Sequence, residues 1–251
     1  MTNATDVEPS APRPVWGMLV SIVDRPADTF AALLAHPRRK WILPLALALV
    51  VAIASAGVTA PHSARLAEQT TMQQFAQSGM SPQEAQDMLA RTARFRTPLF
   101  LGITGAVTGM IGLVVVWVAT AAVLYFVSLV AGAEFTFGAT FLVVAWSNLP
   151  LVLRSLVQTV IIGVTGRFPI YTGLAALQTT GDVFKDAKNP LIPLLSFADI
   201  FWLWYILLLV IGLAVATKFS RLKAFFIVLV YALLAVGLSV GLTMLGASFQ
   251  P

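Results

Sequence analysis

The sequence predicts an all-α fold, an integral membrane bundle of five transmembrane helices with short interfacial helices. Three observations carry that prediction. Of 251 residues, 58% are hydrophobic and only 11% charged, whereas a soluble domain carries about 25% charged residues. Mean hydropathy is +0.86. Five runs, at about 41–60, 99–130, 137–164, 191–216 and 224–245, are long and apolar, and about 20 such residues in a helix cross a bilayer core of roughly 30 Å. Backbone polar groups in lipid must be satisfied within the segment, so these runs are helices. Barrel strands would be about half as long and would alternate polar with apolar residues.

The chain divides into a polar N-terminal tail, residues 1–22, and a five-span membrane domain, residues 23–251. The opening "MTNATDVEPSAPRP" carries acids and prolines before any apolar run. It reads as a disordered tail without the basic-then-apolar order of a signal peptide. Before the first span, "RPADTFAALLAHP" sets Phe30, Leu33 and Leu34 on one helical face, which predicts a short helix lying in the cytoplasmic interface. The second run has 32 residues, about 48 Å of helix, so it must tilt, protrude or break. Its start, "GITGAVTGMIG", places Gly105 and Gly109 in a GxxxG pattern. Small residues let helices approach where lipid supplies no hydrophobic drive between them. A phosphate-loop reading fails because no Gly-Lys-Ser/Thr follows.

The stretch 61–97 is the most polar of the connections. Within it Ser81 caps a predicted helix, Pro82 takes the first helical position and Glu84 completes a capping box. Arg91, Arg94 and Arg96 near its end suit the negative end of the helix dipole. The connection 165–190 is a loop with apolar content that can dip into the interface.

Net charge is +5 and the isoelectric point about 9.9. With the N-terminus inside, the two sides of the membrane hold nearly equal Lys and Arg, so position decides the orientation. "HPRRKW" and "KFSRLK" abut the first, fourth and fifth spans, and charges close to span ends weigh most. The expectation is a multi-pass protein of the plasma (inner) membrane, N-terminus cytoplasmic and C-terminus outside. The lipid bilayer and other membrane proteins are the expected partners. Nucleic acid is not, since no Lys/Arg stripe is interleaved with aromatics.

Catalysis finds little support. There are no cysteines and two histidines, and His36 and His62 fall at opposite membrane boundaries. No metalloprotease, nucleophile-elbow, Walker or dinucleotide motif occurs. The sequence therefore predicts no catalytic residue, no metal site and no cofactor.

What chemistry the spans carry is a polar set: Ser147, Asn148, Arg154, Gln158 and Asp199. A charge at the centre of the bilayer costs at least about 2.5–3.5 kcal/mol on insertion scales, so Arg154 must face protein or water, or snorkel. Asn148 and Ser147 precede Pro150, whose missing N–H frees a carbonyl one turn earlier. They fill a kink or, with Arg154 and Gln158, line a cavity. Asp199 has two readings. If its helix starts near Leu191, Asp199 and Arg154 lie about 13 and 15 Å from the outer ends of their helices, matched in depth for a buried pair. If Ser196 caps the helix, Asp199 occupies the third position of an S-x-x-D box at the interface. Pro190 and Pro193 favour the later start, and hence the cap.

Several of these segments resemble the Ypt-interacting-protein (Yip) domain family in its bacterial form. The approach to the first span matches in Pro26, Phe30, Pro37, Trp41 and Pro44. The fourth span and the turn after it match in Asp199, Phe201, Trp204, Gly212, Ser220 and Lys223, and "AWSNLPLVL" with Pro150 is similar to the third. The resemblance covers about Val23 to Leu245. It implies a five-span helical domain without known catalysis. Eukaryotic relatives interact with Rab-type GTPases and carry a cytoplasmic "DLYGP"-type motif. This chain lacks that motif, so GTPase binding does not carry over. A scaffold or partner in membrane organisation or trafficking is the expected role. The alternative is a transport component whose polar set forms a path between helices.

Overall fold

The computed structural model describes residues 15–166, 173–178, 186 and 189–248. Among them there are helices and turns and no strand. The expected disordered stretch, 1–14, and most of the 165–190 connection lie outside the described residues.

Two short helices come first, α1 (Val15–Asp24) and α2 (Pro26–Ala35). The tail-to-domain boundary expected after residue 22 falls inside α1, whose Met18 and Ile22 are buried in the core. Helix α2 carries the predicted apolar face but does not lie on lipid. Its Phe30 and Leu33 are fully enclosed by protein, and the helix packs on α9 and α6, defined below.

Helix α3 (Ile42–Gln77) runs through Pro61 and continues for sixteen residues beyond it. Its 36 residues make about 54 Å, so the outer part projects past a 30 Å core. The helix thus continues well beyond Ala60, where the first span is expected to end. Proline removes one N–H without forcing a stop, because neighbouring turns retain their bonds. Helix α4 (Pro82–Thr92) follows, and a 3-10 turn, Ala93–Arg96, leads into α5 (Pro98–Val130). Helix α5 is one unbroken rod.

Helix α4 begins with both halves of the capping box. The Ser81 hydroxyl accepts from the Glu84 N–H at 3.3 Å, and a Glu84 carboxylate oxygen accepts from the Ser81 N–H at 3.1 Å. The Ser81 hydroxyl donates to the same carboxylate at 2.7 Å. These bonds, the side-chain one first, hold the Glu84 carboxyl below its ordinary range. A carboxyl with a lowered folded pKa stabilises above its unfolded pKa, and the contribution fades as pH falls through the folded value. Protection of the first-turn amides of α4, measured relative to intrinsic exchange at each pH, should therefore fall on acidification, and Ser81→Ala should weaken that pH dependence.

The third span is α6 (Phe137–Ser147) followed by α7 (Leu149–Thr165), with Asn148 between them. The fourth is shorter than expected. Residues 191–216 divide into α8 (Leu191–Ser196) and α9 (Ile200–Thr217), and the chain is extended at Asp199. Last comes α10 (Arg221–Ser248). Five helical stretches, Ile42–Phe75, Pro98–Val130, Phe137–Thr165, Ile200–Thr217 and Arg221–Gly246, are long and apolar enough to cross a membrane.

Helices α6 and α9 form the centre. Leu142 to Ser147 of α6 are all buried, as are Leu208, Leu209 and Leu213 of α9. Helix α5 contributes Trp117, Ala121 and Leu124, and α10 contributes Ala224, Ile227 and Val228. The indole N–H of Trp146 donates to the Lys40 carbonyl at 3.1 Å, tying the centre to the start of α3. The Tyr205 and Tyr231 hydroxyls meet at 2.9 Å, and Thr120 donates to Tyr231 at 3.2 Å, linking α9, α10 and α5. Helices α3, α5 and α10 form the exterior and leave apolar flanks uncovered, including Val50, Val115 and Leu238.

Candidate intramembrane polar site

Helix α9 is the shortest span. Its 18 residues extend about 27 Å, whereas the 28 of α10 extend about 42 Å. The difference is filled at the N-terminal end of α9 by α8, which packs on α10 and on the 3-10 turn Gly173–Leu177. Gly173 adopts φ +60°, and a Cβ there would lie 3.0 Å from the carbonyl oxygens of Leu195 and Ala198. Only glycine allows this turn to close on the end of α8.

Asp199 lies where α8 hands over to α9. One carboxylate oxygen accepts from the Trp202 N–H at 2.9 Å, the geometry of a helix N-cap. The other accepts from Arg154 Nη1 of α7 at 2.5 Å. The expected Asp199–Arg154 pair is thus present, and the expected cap is replaced by Asp199 acting through its other oxygen. The cap is Asp199 itself and not Ser196. The Ser196 hydroxyl donates to the Ile192 carbonyl at 2.9 Å, inside the last turn of α8. The backbone N–H groups of Phe197 and Ala198 close that turn onto Leu194 and Leu195. The oxygen of Ser196 therefore faces backwards and reaches no free N–H of α9.

Side-chain exposure is 28% for Arg154 and 12% for Asp199. The pair is sheltered but not sealed, and Arg154 Nε is buried without a partner among the described residues. The arrangement neutralises both charges, binds α7 to α9 and satisfies one N–H at the start of α9. It offers no free acid, base or nucleophile.

The rest of the predicted polar set is not gathered around this pair. Ser147 is fully buried, and its hydroxyl has no partner. Asn148 donates from Nδ2 to the Val144 carbonyl at 2.8 Å, reinforcing the break before Pro150. Its other side borders a cleft of about 380 Å³ between α3, α5 and α7, a region that holds none of Ser147, Arg154, Gln158 or Asp199. Gln158 is half-buried farther along α7. Ser147 closes α6, Asn148 stands at the break before α7, and the cleft that Asn148 borders takes in none of the other four.

The glycine pair departs similarly from expectation. The closest approach of α5 to α3 is at Gly102, where a Cβ would lie 3.3 Å from that of Ala60. Gly105 is a looser 4.0 Å from the Ala56 Cβ, and Gly109 has nothing within 4 Å because it borders the cleft. Two structural glycines escaped the sequence reading of packing. One is Gly173. The other is Gly212, where a Cβ would sit 2.7 Å from Val143 Cγ1 and 2.9 Å from Phe30 Cζ. A lone glycine in an apolar span is the available signal for Gly212, since it weakens a helix unless something must pass close.

Among the described residues no three His, Cys, Asp or Glu side chains gather as a metal site would require. No curated protein and no solved structure matches the chain. The Yip1 domain is matched over residues 20–243, which takes in four spans, nearly all of the fifth and the pair that joins α7 to α9. With nine-tenths of its length inside that match, the chain belongs to the Yip1 domain family.

Proposed function

We propose that this protein is a non-enzymatic membrane scaffold that engages other integral membrane proteins in organising or sorting them. The observation that carries the reading is the use of its intramembrane charges. Arg154 and Asp199 are engaged by one another and by the start of α9, which is a structural use of both charges. The transport alternative needs the polar set to line one path, and the cleft that Asn148 borders includes neither Ser147 nor the Arg154–Asp199 pair. The apolar exteriors of α3, α5 and α10 are the surfaces on which neighbours would pack.

The test is site-directed photocrosslinking in native membranes from Val50, Val115 and Leu238, which are 64%, 59% and 65% exposed. The expected result is a small, reproducible group of integral membrane proteins, captured from one face more than from the others. Capture of lipid alone from all three faces counts against a scaffold.

The reading places the protein in the plasma (inner) membrane with the N-terminus cytoplasmic. Its support is the cluster Arg38, Arg39, Lys40, Lys218, Arg221 and Lys223 at the end of the bundle where α3 and α10 begin. The natural chain has no cysteine, so single introduced ones report topology cleanly. Ser78→Cys, between α3 and α4, should react with an impermeant maleimide on intact cells. Glu134→Cys, between α5 and α6, should react only after permeabilisation. The reverse pattern inverts the orientation.

A further inference from the structure

Several hydroxyl-bearing residues around the cleft between α3, α5 and α7 make no bond back to their own helix. Hydroxyls on membrane helices ordinarily bond back to a carbonyl one turn earlier. Thr59, Thr70 and Thr71 of α3 do so, at 2.8, 2.9 and 2.6 Å. Thr159 and Thr165 of α7 do the same, each at 2.7 Å. Ser55 and Ser63 of α3 and Ser155 of α7 make no such bond, and all three border the cleft. Asn148 borders it too. That residue is 7% exposed, and its Nδ2 is occupied by the Val144 carbonyl while its Oδ1 has no partner. Gly105 and Gly109 of α5 leave the facing wall low.

Polar groups at membrane depth are costly unless they are satisfied. Three serines and an asparagine around one space, with their hydroxyls and one amide oxygen unengaged, therefore call for an occupant that donates and accepts hydrogen bonds. No Lys, Arg or His borders the cleft, so a phosphate or carboxylate would go unpaired there. A neighbouring transmembrane helix would bring apolar side chains and a backbone already satisfied, and would leave the serines as they are. A volume of about 380 Å³ is within the ordinary range for small-ligand sites, and the space lies among helices that lipid surrounds.

We propose that this cleft binds the glycerol end of an uncharged, hydroxyl-bearing lipid of the diacylglycerol class, taken laterally from the bilayer. Asn148 Oδ1 accepts from the free hydroxyl, and Ser55, Ser63 and Ser155 bond the ester oxygens. The acyl chains leave between the helices.

The experiment uses the whole protein in phosphatidylcholine vesicles containing a diacylglycerol with a photoreactive diazirine. Adducts are mapped by mass spectrometry. The expected adducts fall on cleft residues of α3, α5 or α7, and unlabelled diacylglycerol competes whereas phosphatidylglycerol and hexadecane do not. Gly109→Leu, which projects into open space and should fold normally, fills the cleft and removes the adducts. Ser155→Ala with Ser55→Ala breaks no bond within the protein, and should weaken labelling about five-fold for each hydroxyl lost. Labelling that is unchanged in Gly109→Leu overturns the site. Equal competition by phosphatidylglycerol or hexadecane overturns the chemistry. Adducts spread over the outer flanks of α5 and α10 show annular lipid only and overturn both.

Discussion

Replacing Phe30 by alanine is expected to cost about 3–5 kcal/mol, the range for removing an enclosed aromatic ring. Phe30 is completely buried, and its ring edge meets Gly212 in the middle of α9. Helix α2 precedes the first span, so the ring would otherwise face water or headgroups and its burial carries the full transfer term. The loss should appear as a fall of about 10 °C in the thermal midpoint in detergent. The same contact predicts a penalty in the other direction. Gly212→Ala would place a methyl 2.7 Å from Val143 Cγ1 and 2.9 Å from Phe30 Cζ. Both neighbours are fully enclosed, so neither can yield easily, and overpacking costs about 1–3 kcal/mol. Shortening the ring should relieve part of that clash. In a Phe30→Leu background Gly212→Ala should therefore cost less than it does alone, with Val143 setting the remainder. Additive effects would mean that ring and glycine do not share one contact.

How this knob and hole came to be half legible in the sequence is instructive. Phe30, Leu33 and Leu34 announce an amphipathic helix by spacing alone. Spacing says that a face is buried and not what buries it, and lipid was the nearer guess. The answer depended on a glycine some 180 residues later in the chain, a pairing no local pattern contains. The five spans were plain because bilayer thickness demands long apolar runs. Their ends were not. Helix α3 passes Pro61, and α9 begins nine residues after the apolar run that contains it. The Ser81–Glu84 box was spelled out in four residues because capping is local chemistry. At the start of α9 the same logic chose the wrong oxygen. Ser196 and Asp199 both satisfy the capping pattern, and Ser196 is spent within the last turn of α8, which leaves the cap to Asp199. Ser55, Thr59 and Ser63 recur every fourth residue, so one face of hydroxyls on α3 was readable. That the two serines leave their hydroxyls free while the threonine does not is a matter of rotamer, which sequence does not record.

The double role of Asp199 separates into two measurable parts. Asparagine caps a helix as well as aspartate does, so Asp199→Asn removes the charge on the pair and keeps the cap. Arg154 is then left unpaired in a largely apolar setting. Breaking a fully buried pair costs about 3–5 kcal/mol, and the partial exposure of both side chains brings the expectation to about 2 kcal/mol. Asp199→Ala loses the cap as well and should cost about 1 kcal/mol more. Arg154→Gln should destabilise to a similar degree as Asp199→Asn. The double variant should cost less than the sum of the two singles by about 1–2 kcal/mol, since once one charge is gone the second is better removed. In that Arg154→Gln background Asp199→Ala should still cost about 1 kcal/mol relative to Asp199→Asn, because the Trp202 N–H needs an acceptor whether or not the arginine is present. Ser196→Ala completes the set. Its hydroxyl only bonds back within α8, so the thermal midpoint should not move. Additivity between Arg154→Gln and Asp199→Asn would leave Asp199 as a cap alone, and would return Arg154 to the status of a charge whose place in the bundle has no account.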